Sequence, residues 1–310
     1  ANDGQLLWGN FNYNSVQFAI CQHEGSGGGK LNQLYNGYGR PAGSVVAYAE
    51  SHDEERVGYK ISTSAPASMR STSSAAKRLG LLATQLLLSP GPKMIWQFGE
   101  LGANQSTKNS GGNNTDPKRV IWNNLDNTHY AGLHDIYRAL LHLRNDNPEL
   151  FAANAIFSTS GLGGNVTNAR TMTLRSGDKE VIAFINPASS GNAMTVSANA
   201  IKLSVSNNQL IPCTPGVTPT LNGSGTVNVS LPANSMAVFA TKDVTGVEDI
   251  MNDGNAILVL GGVGEIVIVG DYTSVEVYTL EGRRIDRLAS LAKGIYIVLV
   301  DGTTHKVAVK

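Results

Sequence analysis

Two short apolar segments, each ending in polar residues, constrain the fold of this chain most. Residues 45–48 read Val-Val-Ala-Tyr and run directly into Glu-Ser-His-Asp-Glu at 50–54. Residues 91–100 repeat this design with a Gly-Pro turn, an apolar segment at 94–98 and an acidic residue, Glu100. Helical spacing separates the two segments, so the pattern predicts a strand, a helix and a second, parallel strand.

Apolar spacing predicts two helices. The first covers residues 68–89 and ends at Pro90, and its apolar face is formed by Met69, Ala76, Leu79, Leu82, Leu86 and Leu87. The second covers residues 132–145 and ends before Pro148, with an inward face of Leu133, Ile136, Leu140, Leu141 and Leu143.

The polar run at 50–54 has two interpretations. In a barrel of parallel strands the active site gathers at the C-terminal ends of the strands, so a His-Asp pair there faces substrate. Alternatively, Ser or Asp after a strand caps the next helix.

Four segments in order resemble the α-amylase family of glycoside hydrolases. Residues 48–53, Tyr-Ala-Glu-Ser-His-Asp, resemble the block at the seventh barrel strand, and residues 94–102 resemble the eighth strand and its tip. Residues 6–12 resemble the segment around the sixth strand, and residues 115–122 the segment before the last barrel helix. The resemblance implies the C-terminal part of a TIM (β/α)8 barrel.

The same resemblance implies a retaining mechanism with an oxocarbenium-like transition state. It makes Asp53 the third catalytic carboxylate and His52 a hydrogen-bond donor to a sugar hydroxyl. Glu54, Arg56 and Glu100 are the further substrate-binding candidates. Glu54 and Arg56 have a second interpretation, in which they hold the loop together.

The nucleophile and the general acid/base of this family lie on the fourth and fifth barrel strands, which would precede residue 1. We therefore expect a C-terminal fragment that is inactive alone and either associates with its missing half or is poorly stable. Calcium is frequent in the family, but its usual ligands would lie upstream, so we expect no cofactor in this chain and calcium only in the full-length protein.

Beyond residue 152 the helical periodicity disappears. Short apolar runs broken by Gly, Asn and Ser predict an antiparallel β-sandwich domain over residues 153–242. We expect it to support the barrel rather than to bind glycan independently, because it contains few aromatic residues that could stack on sugar rings.

A predicted linker at 243–256 leads to a last β domain at 257–310. Its strand order, and the phrases at 277–283 and 291–297, resemble the C-terminal sorting domain of type IX secretion in Bacteroidetes. The resemblance implies a small Ig-like β-sandwich tail, the type IX secretion machinery as a partner, and a secreted or cell-surface protein. A small carbohydrate-binding sandwich is the alternative.

Composition excludes some function classes. The chain of 310 residues has 24 basic and 24 acidic residues, so it lacks the basic footprint of a nucleic-acid-binding protein. No apolar run approaches the length of a membrane span. Cys21 and Cys213 fall in different predicted domains, and whether they pair stays open.

The sequence therefore favours an α-glucan-active hydrolase or transglycosidase of the α-amylase family that acts on starch or glycogen. A branching-type transferase shares the same segments. The alternative from another class is a surface glycan-binding or scaffold protein built on a degenerate amylase domain.

Overall fold

The chain is mixed α/β with several antiparallel sheets in a computed structural model. The structure describes residues 6–22, 31, 43–108, 117–162, 167–203, 208–211, 220–221, 225–241, 244, 258–269, 272–280 and 282–309. These residues fall into two compact units, Ala1–Gly246 and Val247–Lys310.

The first unit begins with parallel strands. β1 (Leu7–Asn10) pairs in parallel with β2 (Val45–Tyr48), and Ala47 forms a further parallel bridge to Lys93. Backbone hydrogen bonds fix that bridge, from the Ala47 N–H to the Pro92 carbonyl and from the Met94 N–H to the Ala47 carbonyl, each 3.1 Å long. The predicted parallel arrangement of residues 45–48 and the segment after Pro92 is therefore present, as two paired strands and one further bridge.

Helices cover the parallel strands. α1 (Asn12–Ala19) follows β1, and α2 (Val57–Ser64) and α3 (Thr72–Leu88) follow β2. α4 (Thr128–Asp146) comes last, and short 3-10 helices lie at Ala67–Met69, Gly99–Leu101, Trp122–Asp126 and Pro148–Phe151. All six residues of the predicted inward face of the first helix are buried, five of them on α3 and Met69 in the 3-10 helix before it.

Two sequence expectations in this unit are wrong. Residues 94–98 do not form a strand beyond the bridge at Lys93, because Phe98 adopts a left-handed conformation (φ 64°) and starts a 3-10 turn. Leu141 was expected to face inward but is exposed on α4, whereas Leu140 and Leu143 are buried.

Antiparallel strands form the rest of the first unit. They are β3 (Ile156–Ser160), β4 (Arg170–Ser176), β5 (Lys179–Asn186), β6 (Met194–Asn199), β7 (Asn208–Leu210), β8 (Thr220–Leu221), β9 (Thr226–Leu231) and β10 (Ser235–Thr241). They make a five-stranded sheet, β3-β4-β5-β10-β7, and a three-stranded sheet, β6-β9-β8.

Strand β5 is buried on both faces, which explains its uninterrupted apolar sequence. Ile182 and Phe184 belong to the core that the two sheets share. Val181 and Ala183 belong to a second core, which also contains residues of α3 and α4. The five-stranded sheet thus lies between the helices and the three-stranded sheet, and it ties the β part to the part that carries the candidate site.

The second unit is all β. Its strands are β11 (Leu258–Gly261), β12 (Ile266–Val269), β13 (Val275–Thr279), β14 (Arg284–Ile285), β15 (Gly294–Val300) and β16 (Thr303–Val309). They form a two-stranded sheet, β11-β12, and a four-stranded sheet, β14-β13-β15-β16. Residues of both sheets share one apolar core that includes Ile266, Val277 and Val298.

Several sequence expectations concern residues outside the described part. They include most of the predicted linker 243–256, residues 115 and 116 of the resemblance, and Cys213. Cys21 is half-buried and forms no disulfide with any of the described residues. Of the helices in the described residues, none has the length and apolar character needed to cross a membrane.

Candidate functional site

The candidate site is built on the loop that follows β2. Asn12, at the start of α1, anchors this loop by donating from Nδ2 to the carbonyl of Ala49 at 2.9 Å and to that of Glu55 at 3.3 Å. The N–H of Asn12 in turn donates to Oδ1 of Asn10, the last residue of β1, at 2.9 Å. The C-terminal ends of two neighbouring parallel strands therefore share one set of polar contacts.

His52 and Asp53 point from this loop into solvent. Nε2 of His52 lies 3.4 Å from Oδ2 of Asp53, and the two side chains are 65% and 70% exposed. The imidazole also lies against Trp96, with 5.9 Å between the ring centroids. A carboxylate and an imidazole that are accessible and adjacent can bind sugar hydroxyls and stabilise a positive charge that develops beside them.

Glu54 stabilises the loop that carries His52 and Asp53. Its carboxylate accepts hydrogen bonds from Nδ2 of Asn10 and from Oγ of Ser51. Oγ of Ser51 also accepts from the N–H of Asp53 at 3.4 Å. Glu54 thus links the ends of β1 and β2, and these contacts fit the loop-holding interpretation; its role in substrate binding stays a prediction.

A buried ion pair holds the loop on its inner side. Nη1 of Arg56 donates to Oε2 of Glu50 at 3.1 Å, and the two side chains are only 5% and 10% exposed. Oε1 of Glu50 accepts from the N–H of Val57 at 2.6 Å, and Nη2 of Arg56 donates to the carbonyl of Gln97 at 2.7 Å. Burial raises the pKa of Glu50, and the guanidinium of Arg56 opposes that rise. Arg56 therefore fastens the loop to the segment after the Lys93 bridge, and its substrate contact stays a prediction.

Glu55 fastens the loop to a third segment. Its Oε1 accepts from Oγ of Ser106 at 3.0 Å and from the N–H and Oγ1 of Thr107 at 3.0 and 2.6 Å. Burial raises the pKa of Glu55, but these hydrogen bonds outweigh burial and hold the pKa below its usual value. Glu55 is therefore held as a carboxylate, and sequence reasoning did not single it out.

Glu100 lies apart from the other candidates. It lines a separate groove of about 580 Å³ along α4, together with His134, Tyr137 and Leu141. Burial raises the pKa of Tyr137, and the negative charges of Glu50 and Glu100 raise it further. The structure thus brings His52, Asp53 and Glu54 together at the loop surface, places Arg56 beneath them, and directs Glu100 towards a helix.

Two further residues belong to the site, and one of them carried a signal in the sequence. Asn10 ends β1 just as Glu50 follows β2, so the strand-end rule that drew attention to His52 and Asp53 also applies to it. Glu55 had no such signal, because its partners lie at residues 106 and 107. The described residues contain no group of three or more His, Cys, Asp or Glu that could hold a metal ion.

Comparison with known proteins gives structural neighbours only. No protein-family model and no curated protein matches the chain. An α-amylase from Anoxybacillus matches with a TM-score of 0.52 at 15% identity, over 74% of this chain and 45% of that one. A debranching enzyme from Nostoc punctiforme has a TM-score of 0.46 at 17% identity, over 74% and 46%. A Klebsiella pneumoniae pullulanase complexed with maltotriose has 0.47 at 17%, over 73% and 27%.

These neighbours are glycoside hydrolases of the α-amylase family. The chain spans less than half of the length of each. At such identities the likeness to the Anoxybacillus enzyme concerns the fold alone, and it matches the C-terminal part of an amylase-family domain.

Proposed function

We propose that this chain is the C-terminal part of an α-amylase-family enzyme that acts on α-glucans such as starch or glycogen by a retaining mechanism. The exposed pair His52 and Asp53 at the C-terminal ends of parallel strands carries the proposal. The four resembling segments and the fold likeness to an α-amylase support it.

Asp53 is the proposed transition-state carboxylate. When a glycosidic bond breaks, positive charge develops at the anomeric carbon and the ring oxygen. A carboxylate fixed beside that charge stabilises the transition state more than the neutral ground state. The Glu54 and Ser51 contacts fix the loop that carries Asp53, so little reorganisation is needed when charge develops.

His52 is the proposed ligand of a sugar hydroxyl. Trp96 packs against one side of its ring, and the Asp53 carboxylate lies 3.4 Å from Nε2. A ring positioned in this way can present an N–H to a hydroxyl beside the solvent-exposed carboxylate of Asp53. Glu100 is the remaining substrate-binding candidate, in the groove along α4.

The nucleophile and the general acid/base are proposed to lie on barrel strands that precede this chain in a longer protein. The present chain then has no turnover alone. Calcium, which the family often binds, is proposed for the longer protein only; the described residues here provide no ligand cluster for it, and no catalytic step depends on it.

The second unit is proposed to be a type IX secretion sorting domain, which makes the protein secreted or attached to the cell surface. The strands observed between Leu258 and Val309 support a small β domain in this region. The secretion machinery as a partner rests on the sequence resemblance. Secretion of a fusion of residues 247–310 to a reporter by a type IX-competent bacterium tests this part, and a reporter that stays inside the cell would contradict it.

The test of the main proposal is the release of reducing sugar from soluble starch by the full-length gene product, measured beside this 310-residue chain. Activity of the full-length protein alone is the expected result. Activity of the chain alone would overturn the assignment of the missing carboxylates to preceding strands. No activity of either, with starch binding retained, would replace the enzyme by the glycan-binding or scaffold protein.

A further inference from the structure

A polar pocket of about 390 Å³ adjoins the candidate site. The segments 103–108 and 117–124 form its walls, and Arg56 contributes from the loop after β2. Thr107, which lines the pocket, donates from its N–H and from Oγ1 to Oε1 of Glu55 at 3.0 and 2.6 Å. Hydrogen bonds to Glu55 therefore connect the pocket wall with the loop that carries His52 and Asp53. The volume of the pocket lies in the range of small-molecule binding sites.

The charged side chains in the described lining of the pocket are all positive. Its described lining contains four cations and no carboxylate, although the 24 basic and 24 acidic residues of the whole chain balance. The four are Arg56, Lys108, Lys118 and Arg119. Such a separation of charge in a concave surface attracts anions.

Two of these cations have hydrogen-bond or ion-pair partners among the described residues, and two do not. Arg56 is paired with Glu50, and Nζ of Lys118 donates to the carbonyl of Thr107 at 3.0 Å. The side chains of Lys108 and Arg119 make no hydrogen bond or ion pair within the part of the chain that the structure describes. The carboxylate of Glu55 is nearby but does not line the pocket, and its Oε1 already accepts hydrogen bonds from residues 106 and 107.

The rest of the lining is suited to neutral hydroxyl groups. It contains the amides of Asn104, Gln105 and Asn124; Nδ2 of Asn104 donates to Tyr130 and Nδ2 of Asn124 to Leu101, so their Oδ1 atoms are the groups that can accept from a ligand. The hydroxyls of Ser106 and Thr107 are already engaged by Glu55. Gln105 makes no hydrogen bond within the described residues, so its amide can both donate and accept. A ligand that fits this lining has several hydroxyls and one anionic group.

We propose that this pocket binds a sugar phosphate monoester, with Lys108 and Arg119 on the phosphate and the amide groups on the sugar hydroxyls. The identity of the sugar as a glucose unit rests on the proposed function. Arg provides a planar fork that matches phosphate oxygens, and Lys provides a compact charge beside it. The enzyme would then accept glucans that carry phosphate esters and hold the ester next to the candidate site.

The test measures binding to the 310-residue chain by equilibrium titration with glucose 6-phosphate, inorganic phosphate and glucose. The variants are K108Q and R119Q combined, and K77Q as a matched control that removes an exposed charge on α3. We expect glucose 6-phosphate to bind more tightly than inorganic phosphate, and glucose to bind most weakly. The double variant should weaken glucose 6-phosphate binding roughly tenfold or more, because it removes two charge-assisted contacts, and K77Q should not.

Three results would overturn the proposal: no binding of glucose 6-phosphate by the unchanged chain, equal affinity in the double variant, or an equal loss in K77Q. If the first result came with binding of inorganic phosphate, the pocket would accept a free anion and not the sugar ester. Because none of these measurements requires turnover, their failure is distinguishable from a failure of the full-length protein to hydrolyse starch. Circular dichroism of the double variant shows whether it retains the fold.

Discussion

Replacing Arg56 by methionine removes the cation of the buried pair that closes the loop carrying His52 and Asp53. The variant leaves the carboxylate of Glu50 almost fully buried, with the Val57 N–H as its remaining donor among the described contacts. Breaking a buried pair by removing one partner costs about 3–5 kcal/mol. The lost contact of the guanidinium with Trp96, at 5.8 Å, adds up to about 1 kcal/mol.

The pH dependence of this loss has a definite sign. Burial already raises the pKa of Glu50, and Arg56 is the charge that opposes this rise. Without Arg56 the folded-state pKa rises further above the unfolded value, so the folded variant binds the proton more tightly than the unfolded chain does. The variant's stability is therefore highest at low pH and falls as pH rises through the folded pKa. Its deficit should be larger at pH 8 than at pH 5.

Urea unfolding followed by tryptophan fluorescence measures the effect. All three tryptophans, Trp8, Trp96 and Trp122, lie in the first unit, so the signal reports on the part that contains the pair. R138M is the matched control, because Arg138 forms an exposed pair with Asp135 that contributes at most about 1 kcal/mol. A loss below about 1 kcal/mol in R56M, or a loss that does not change with pH, would refute the reasoning.

Three further predictions concern stability. G102A should lower the free energy of unfolding in urea by about 2–4 kcal/mol, because the residue has φ +69° and an added Cβ would lie 2.2 Å from the ring of Tyr130. G177A, at φ +57° with open space around it, should lose less stability. Equal losses in the two variants would contradict this. E180Q should cost about 3–5 kcal/mol, because the fully buried carboxylate of Glu180 accepts from three consecutive backbone N–H groups and from an arginine; a loss under 1 kcal/mol would count against it. The lowered pKa of Glu55 means that its carboxylate stabilises the fold above its unfolded pKa near 4.5, and that this stability is lost as pH falls through the folded pKa. The difference in unfolding free energy between the unchanged chain and E55Q should therefore disappear below that pH range. A difference that does not change with pH would disprove the assignment.

The elements with strong periodicity were predictable from the sequence. The helix expected at 68–89 is α3, Thr72–Leu88, and its N-terminus is set by Ser71, whose Oγ accepts from the N–H of Ser74 at 3.2 Å. The helix expected at 132–145 begins earlier, at Thr128, because the side chain of Asn127 caps it. Caps shift the ends of helices, but the apolar faces determine that the helices form.

The short elements were harder to predict. α1 and α2 have only eight residues each, too few for a clear apolar period, and they were not predicted. The apolar segment at 94–98 looked like a strand, but strand pairing depends on neighbours far along the chain. There it makes one bridge before Phe98 turns in the left-handed conformation.

The candidate site was predictable only where strand ends carry it. His52 and Asp53 follow β2 directly, so the strand-end rule located them. Glu100 satisfied the same rule, but the turn at Phe98 directs it towards α4, and no local pattern encodes that direction. The burial of Arg56 against Glu50 also depends on tertiary packing, which the sequence pattern alone does not reveal.

The turnover of soluble starch by the full-length gene product with Asp53→Asn tests the central claim most directly. The account predicts that kcat/KM falls by at least about two to three orders of magnitude while the melting temperature stays unchanged, because the substitution removes charge from an exposed side chain and little packing. A variant with turnover close to that of the unchanged enzyme would contradict the assignment of Asp53 as the carboxylate that stabilises the transition state.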